Sequence, residues 1–227
     1  MKEIEEIESQ IESEMGISLK NYKSNEIEQT ITNMLIFPQY FFKKILFSVL
    51  LFLSVFLVSI FLLELTPITF IFYLIIGVVL FFISGVIFGF LRFFYSIESD
   101  ILSVFNFSVD LISNILNKSK EITKKEDFEL LYKGVVMVIV YPIVSNVIKR
   151  KIWVLSAFVN RIIYKVFKQI CKVKIDVRGL YNIEVLIGEV KAKVNRVLKK
   201  IINKISLPLK IVFGFLMSAI LILMFVL

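Results

Sequence analysis

ILFSVLLFLSVFLVSIFLL, residues 45–63, holds nineteen residues without a charge, and LTPITFIFYLIIGVVLFFISGVIFGFL, residues 65–91, follows after one acidic residue, Glu64. At about 1.5 Å rise per residue, roughly 20 apolar residues cross a hydrocarbon core of about 30 Å, so each run is long enough to span. Pro67 is well placed to begin the second helix. The second run exceeds a perpendicular crossing, which implies tilt or a helix continuing past the interface. Two such runs back to back argue against buried core helices. The acidic residues ahead of them argue against a secretory signal.

The flanks extend this hairpin, residues 44–95, in both directions. Before it, Ile4, Ile7, Ile11 and Met15 repeat at helical spacing among six glutamates, Gly16 ends the pattern, and Asn25 offers an N-cap for a second short helix. Residues 1–30 carry eight Glu and three Lys, so an acidic amphipathic arm, residues 1–43, is expected to pair with a basic body or to remain a solvated tail. Tyr40, Phe41, Phe42, Lys43 and Lys44 have the composition of an interfacial anchor.

After the hairpin, residues 96–206 read as a basic helical module. Ile101, Phe105, Val109, Ile112 and Leu116 form one amphipathic stripe, followed by a charged connector, Lys120 to Asp127. Gly134 to Ile148 is uncharged, rich in Val and Ile, and contains Pro142. It fits a buried or interfacial helix kinked at Pro142, with a re-entrant or spanning segment and a buried strand as alternatives. Between Glu129 and Asp176 there are nine Lys or Arg and no acidic residue. Arg161, Lys165, Lys168 and Lys172 fall within about 60° of one another on a helical wheel, opposite Ile152, Leu155, Val159, Ile162, Val166 and Ile170. Asp176 to Gly179 reads as a turn, Asn182 to Ile201 as a last amphipathic helix, and Ile211 to Leu227, entered at Pro208, as a third span within a C-terminal segment of residues 207–227.

All 27 Lys and Arg lie before Ile45 or between Arg92 and Lys210, on one side of a three-span arrangement. The positive-inside rule makes that side cytoplasmic, with the N-terminus inside and the C-terminus outside a multi-pass cell-membrane protein. The composition, 58% hydrophobic with a mean hydropathy of +0.84, agrees.

The chain has no His and one Cys, Cys171, which argues against His-based triads, zinc sites and an intrachain disulfide. No phosphate-binding glycine loop is present. No cofactor and no catalytic residue is expected. Gly85 and Gly89 form a GxxxG with Gly77 on nearly the same face, suited to close packing on the first span or on another copy. Lys149, Arg150, Lys151, Arg161, Lys165, Lys168 and Lys172 are the candidate contacts for anionic headgroups or an acidic partner, with Trp153, Phe158, Tyr164 and Phe167 at the apolar boundary. Nucleic acid fits poorly, for lack of a motif.

The expected fold is therefore an all-α integral membrane protein: a transmembrane helical hairpin, a cytoplasmic amphipathic helical module and a C-terminal transmembrane helix. The expected role is a non-enzymatic scaffold or assembly component bound to the bilayer, with membrane shaping and homo-oligomerisation as extensions. The alternative is a subunit of an oligomeric channel, transport or secretion complex.

Overall fold

The computed structural model describes residues 2–63, 65–118, 125–153, 155–172 and 183–226, and among them there is no strand. Glu64, the Asp176–Gly179 turn and most of the Lys120–Asp127 connector lie outside the described residues. Helix α1 (Lys2–Met15) ends at Gly16, whose φ of 64° is the left-handed conformation that glycine adopts at a helix C-terminus. A 3-10 turn (Leu19–Tyr22) leads to α2 (Asn25–Met34). Its cap is Ser24, one residue before the expected Asn25, with Oγ accepting the Ile27 N–H at 3.2 Å.

Helix α3 (Phe41–Leu62) is the first apolar run, and α4 (Pro67–Lys118) begins with the second. At 52 residues α4 is about 78 Å long. Neither proline nor glycine occurs from Phe90 to Lys118, so nothing stops the helix where the apolar run gives way to the amphipathic stripe. The expected boundary at 95/96 falls inside it. Helix α5 (Lys125–Gly134) passes through a π-helical stretch (Val135–Val140) into α6 (Tyr141–Lys151). Pro142 explains the widening. It has no N–H for the Val138 carbonyl and its ring would crowd that carbonyl in regular α-geometry. The Tyr141 N–H instead reaches Val136 O, five residues back. Helices α7 (Ser156–Ile170) and α8 (Ile183–Val226) follow, and α8 continues through Pro208, so the expected boundary at 206/207 also lies within a helix.

The chain divides into two compact units, Met1–Gln39 with Glu98–Ile201, and Tyr40–Ile97 with Ile202–Leu227. In the first unit every side chain from Val135 to Val140 is buried. The amphipathic stripe of α4, including Ile101, Phe105, Val109 and Ile112, is buried with them. The acidic arm is built into this core by its apolar residues: Ile11, Leu19, Ile31, Leu35 and Phe37 are fully buried. Gly134 makes room for it, because a Cβ there would collide with Ile11 Cδ1 and lie 2.8 Å from Leu19 Cδ1. The ion pair described in the arm, Lys20 with Glu8 at 4.0 Å, is internal to it. The chain leaving α2 is held by Asp100 of α4, a buried carboxylate that accepts the backbone N–H groups of Ile36 and Phe37 at 2.5 Å each.

In the second unit α3, the first part of α4 and the last part of α8 pack around Phe56, Tyr73, Phe81 and Ile220. Ser59 Oγ and Tyr73 OH pair at 2.5 Å in this interior, where an isolated hydroxyl would be costly. Outward-facing residues are large and apolar, Phe61 and Phe225 being 88% and 87% exposed.

Four helical stretches are long and apolar enough to cross a membrane: Phe41–Leu62, Pro67–Leu116, Asp127–Lys151 and Ile187–Phe225. They differ in burial. The most apolar window of Asp127–Lys151 is 72% buried within the protein, against 22%, 33% and 6% for the other three in chain order. The strand alternative for Gly134 to Ile148 is replaced by continuous helix, because that stretch shares one helical register with α5 and α6.

Removing the Asp100 carboxylate strips one buried and one part-buried N–H group of their acceptor, and Asp100→Ala should lower stability by about 1–3 kcal/mol. Asp100→Asn, which keeps an acceptor oxygen, should lose less. Denaturant unfolding in mild detergent checks the order; an Asp100→Ala protein as stable as the parent would show that this contact does not hold the arm.

Candidate functional site

Helix α6 ends in Lys149, Arg150 and Lys151, all exposed, at the carbonyl end of the helix where cations are favoured. Its buried face is Val144, Val147 and Ile148. The chain then turns at Ile152 and Trp153, and Ser156 Oγ donates to Trp153 O at 3.0 Å as α7 begins. The apolar residues of α7 recur at intervals of three and four. As a result Val159, Ile162, Ile163, Val166, Phe167 and Ile170 are buried on one side. Arg161 and Lys165 stand exposed on the other, Lys172 is exposed just past the helix end, and Lys168 is half-buried with Nζ 5.9 Å from the centre of the Tyr164 ring.

The four aromatics expected at the apolar boundary separate into two pairs. Phe167 is fully buried, its ring 5.0 Å from Phe105 and 5.6 Å from Tyr141, and Tyr164 is half-buried, edge-on to Tyr141 at 5.5 Å. Trp153 and Phe158 remain on the surface, 77% and 55% exposed. Phe158, Arg161 and Lys165 lie within about 60° of one another on the helix, so the phenyl ring belongs to the cationic row.

The interfacial-anchor residues sit in the second unit and also separate. Tyr40, Phe42 and Lys43 are exposed, with Lys43 Nζ 5.8 Å from the Tyr40 ring centre. Phe41 is buried, 4.7 Å from Phe93, and Lys44 Nζ donates to Ser96 Oγ. Two cations not singled out in the sequence join them. Arg92 lies 5.7 Å from the Phe47 ring centre, and Lys210 lies 5.4 Å from that of Tyr95 and donates to Asn203 Oδ1 at 3.1 Å. Their position at the ends of apolar runs was the available signal. Together these contacts place Lys43, Lys44, Arg92 and Lys210 at one end of the second unit. At its other end, Leu63 and Leu65 pack in one cluster with Leu223 and Met224.

The three glycines face α3 of the same chain. A Cβ on Gly77 would collide with Phe56, one on Gly85 would lie 2.7 Å from Val49 Cα, and one on Gly89 would lie 2.8 Å from Ile45 Cα. Nothing lies within 4 Å of the corresponding position at Gly214. Elsewhere, a groove of 340 Å³ in the first unit includes Tyr22, Glu26, Thr30, Asp110 and Asn114 in its lining, and Lys191 pairs with Asp110 at 2.8 Å. Among the described residues no three His, Cys, Asp or Glu are grouped as metal ligands.

Gly85→Ala sets a methyl group against backbone, which cannot swing aside, and should destabilise the protein by about 1–3 kcal/mol. Gly214→Ala should be neutral or stabilising by up to about 1 kcal/mol. Thermal unfolding of both variants in mild detergent checks this; equal effects would mean that α3 and α4 do not depend on close approach. The chain matches none of the protein families, curated proteins or solved structures compared with it.

Proposed function

We propose that this chain is a non-enzymatic membrane scaffold or assembly component that engages the anionic headgroups of the inner leaflet through a basic helical face. In this reading α3, residues 67–91 of α4 and residues 211–226 of α8 cross the bilayer, with the N-terminus cytoplasmic and the C-terminus external. The distribution of charge within the second unit supports that orientation. One end carries Lys43, Lys44, Arg92 and Lys210, while residues 45–91 and 211–227 contain no Lys or Arg. The Asp127–Lys151 stretch stays outside the bilayer. Protein already covers most of its apolar surface, and a crossing there would force the basic residues that follow across the membrane.

The observation that carries the functional part is the exposed row Arg161, Lys165 and Lys172, with Lys149, Arg150 and Lys151 exposed in the last turn of the preceding helix, and with the apolar residues of both helices buried. Near an anionic leaflet each such cation contributes about 1 kcal/mol, so six act together where one would not.

A reporter fused after residue 180 should read cytoplasmic and one fused after Leu227 external; the opposite pattern would sink the orientation. In nanodiscs, backbone hydrogen exchange across α7 should slow when anionic lipid is included and recover at high salt. Exchange indifferent to lipid charge would remove the leaflet from the role of the basic face.

A further inference from the structure

We infer that the corner between α6 and α7 inserts into the leaflet that holds the spans, with Trp153 and Phe158 entering the headgroup–acyl boundary and the surrounding cations holding anionic headgroups. The inference rests on the proposed function and assigns its contact to particular side chains. Among the described residues of the first unit, Trp153 and Phe158 are the only exposed aromatic side chains. Tyr132, Phe105, Phe128 and Phe167 are all buried there. The two bare rings therefore do not reflect a unit too small to bury its aromatics.

Their surroundings identify the occupant. Lys149, Arg150 and Lys151 lie two to four residues before Trp153, and Arg161 and Lys165 share the face of Phe158, all five exposed. An acidic protein partner would need only the cations. Bare Trp and Phe flanked along the chain by exposed Lys and Arg suit a medium that is anionic at its surface and apolar just beneath, which is the interface of an anionic leaflet. The host leaflet is favoured over a separate membrane because α4 and α8 tether the unit to it covalently, which raises the effective concentration.

Trp153 is the only tryptophan in the chain, so its emission reports on this corner without a label. The full-length protein is placed in nanodiscs with bromine on the lipid acyl chains, either zwitterionic throughout or containing phosphatidylglycerol. The expected result is a blue shift and bromine quenching in the anionic discs, with neither in the zwitterionic ones. Replacing Lys149, Arg150 and Lys151 by Ser should lower the ratio of docked to undocked protein about fivefold per cation, on the order of a hundredfold in all. Phe158→Ser, which keeps every charge, should reduce the quenching while leaving the far-UV circular dichroism unchanged. Equal emission in the two kinds of disc overturns the inference. So does quenching that appears only when brominated anionic vesicles are added to discs of unbrominated lipid. If α7 exchange still slows with anionic lipid while Trp153 stays unquenched, insertion is wrong and the basic face remains a headgroup contact. If neither responds, both readings fall.

Discussion

Two apolar helices surrounded by lipid gain nothing by leaving an apolar solvent for each other, so direct contact must hold them. In this chain the contact is between backbones. Gly85 and Gly89 leave the space that Val49 Cα and Ile45 Cα approach, and Gly77, two turns earlier, accepts the ring of Phe56. That register sets Phe56 against Tyr73 at 5.5 Å in a stacked arrangement and brings the Tyr73 hydroxyl to Ser59. A side chain at Gly85 would separate the helices and put each of these contacts out of register. Since α4 continues to Lys118, the helix that packs on α3 also supplies the stripe buried in the first unit.

The first unit follows the opposite rule, with apolar residues inside and, Asp100 apart, its described charged side chains outside or partly exposed. Its acidic arm belongs to the fold, because the isoleucines and leucines between its glutamates are buried and Asp100 accepts two of its backbone N–H groups. Glu5, Glu6, Glu12 and Glu14 are exposed on α1, and Arg161 and Lys165 on α7. Under the proposed arrangement the basic face, with Trp153 and Phe158 beside it, is the part that meets the leaflet.

Much of the helical content was legible because its cause is local. The uncharged runs, the stripes at intervals of three and four, and the ends at Gly16 and Pro67 can each be read from neighbouring residues. The cationic row on α7 is legible for the same reason, since helical spacing fixes which residues share a face. The fate of the aromatics was not legible. Phe158 and Phe167 lie on one helix in similar company, yet Phe167 meets Phe105 and Tyr141 from distant segments while Phe158 meets none of them. The length of the second apolar run allowed a helix continuing past the interface, but how far α4 runs, and the continuity of α8, escaped a reading that divides the chain where polarity changes. A change of surface chemistry does not by itself interrupt a helix, and α8 continues even through Pro208.

By itself the sequence determined that this chain is helical, that several of its helices are apolar enough for a bilayer, and that its positive charge is excluded from the apolar runs. All three depend on composition and on spacing within one helix. The tertiary structure decided that the glycine row is occupied by α3, that Asp127–Lys151 is largely covered by protein, and that Trp153 and Phe158 alone among the first unit's described aromatics are left exposed. Those outcomes depend on which distant segment reaches a given face, and only the packed chain specifies that.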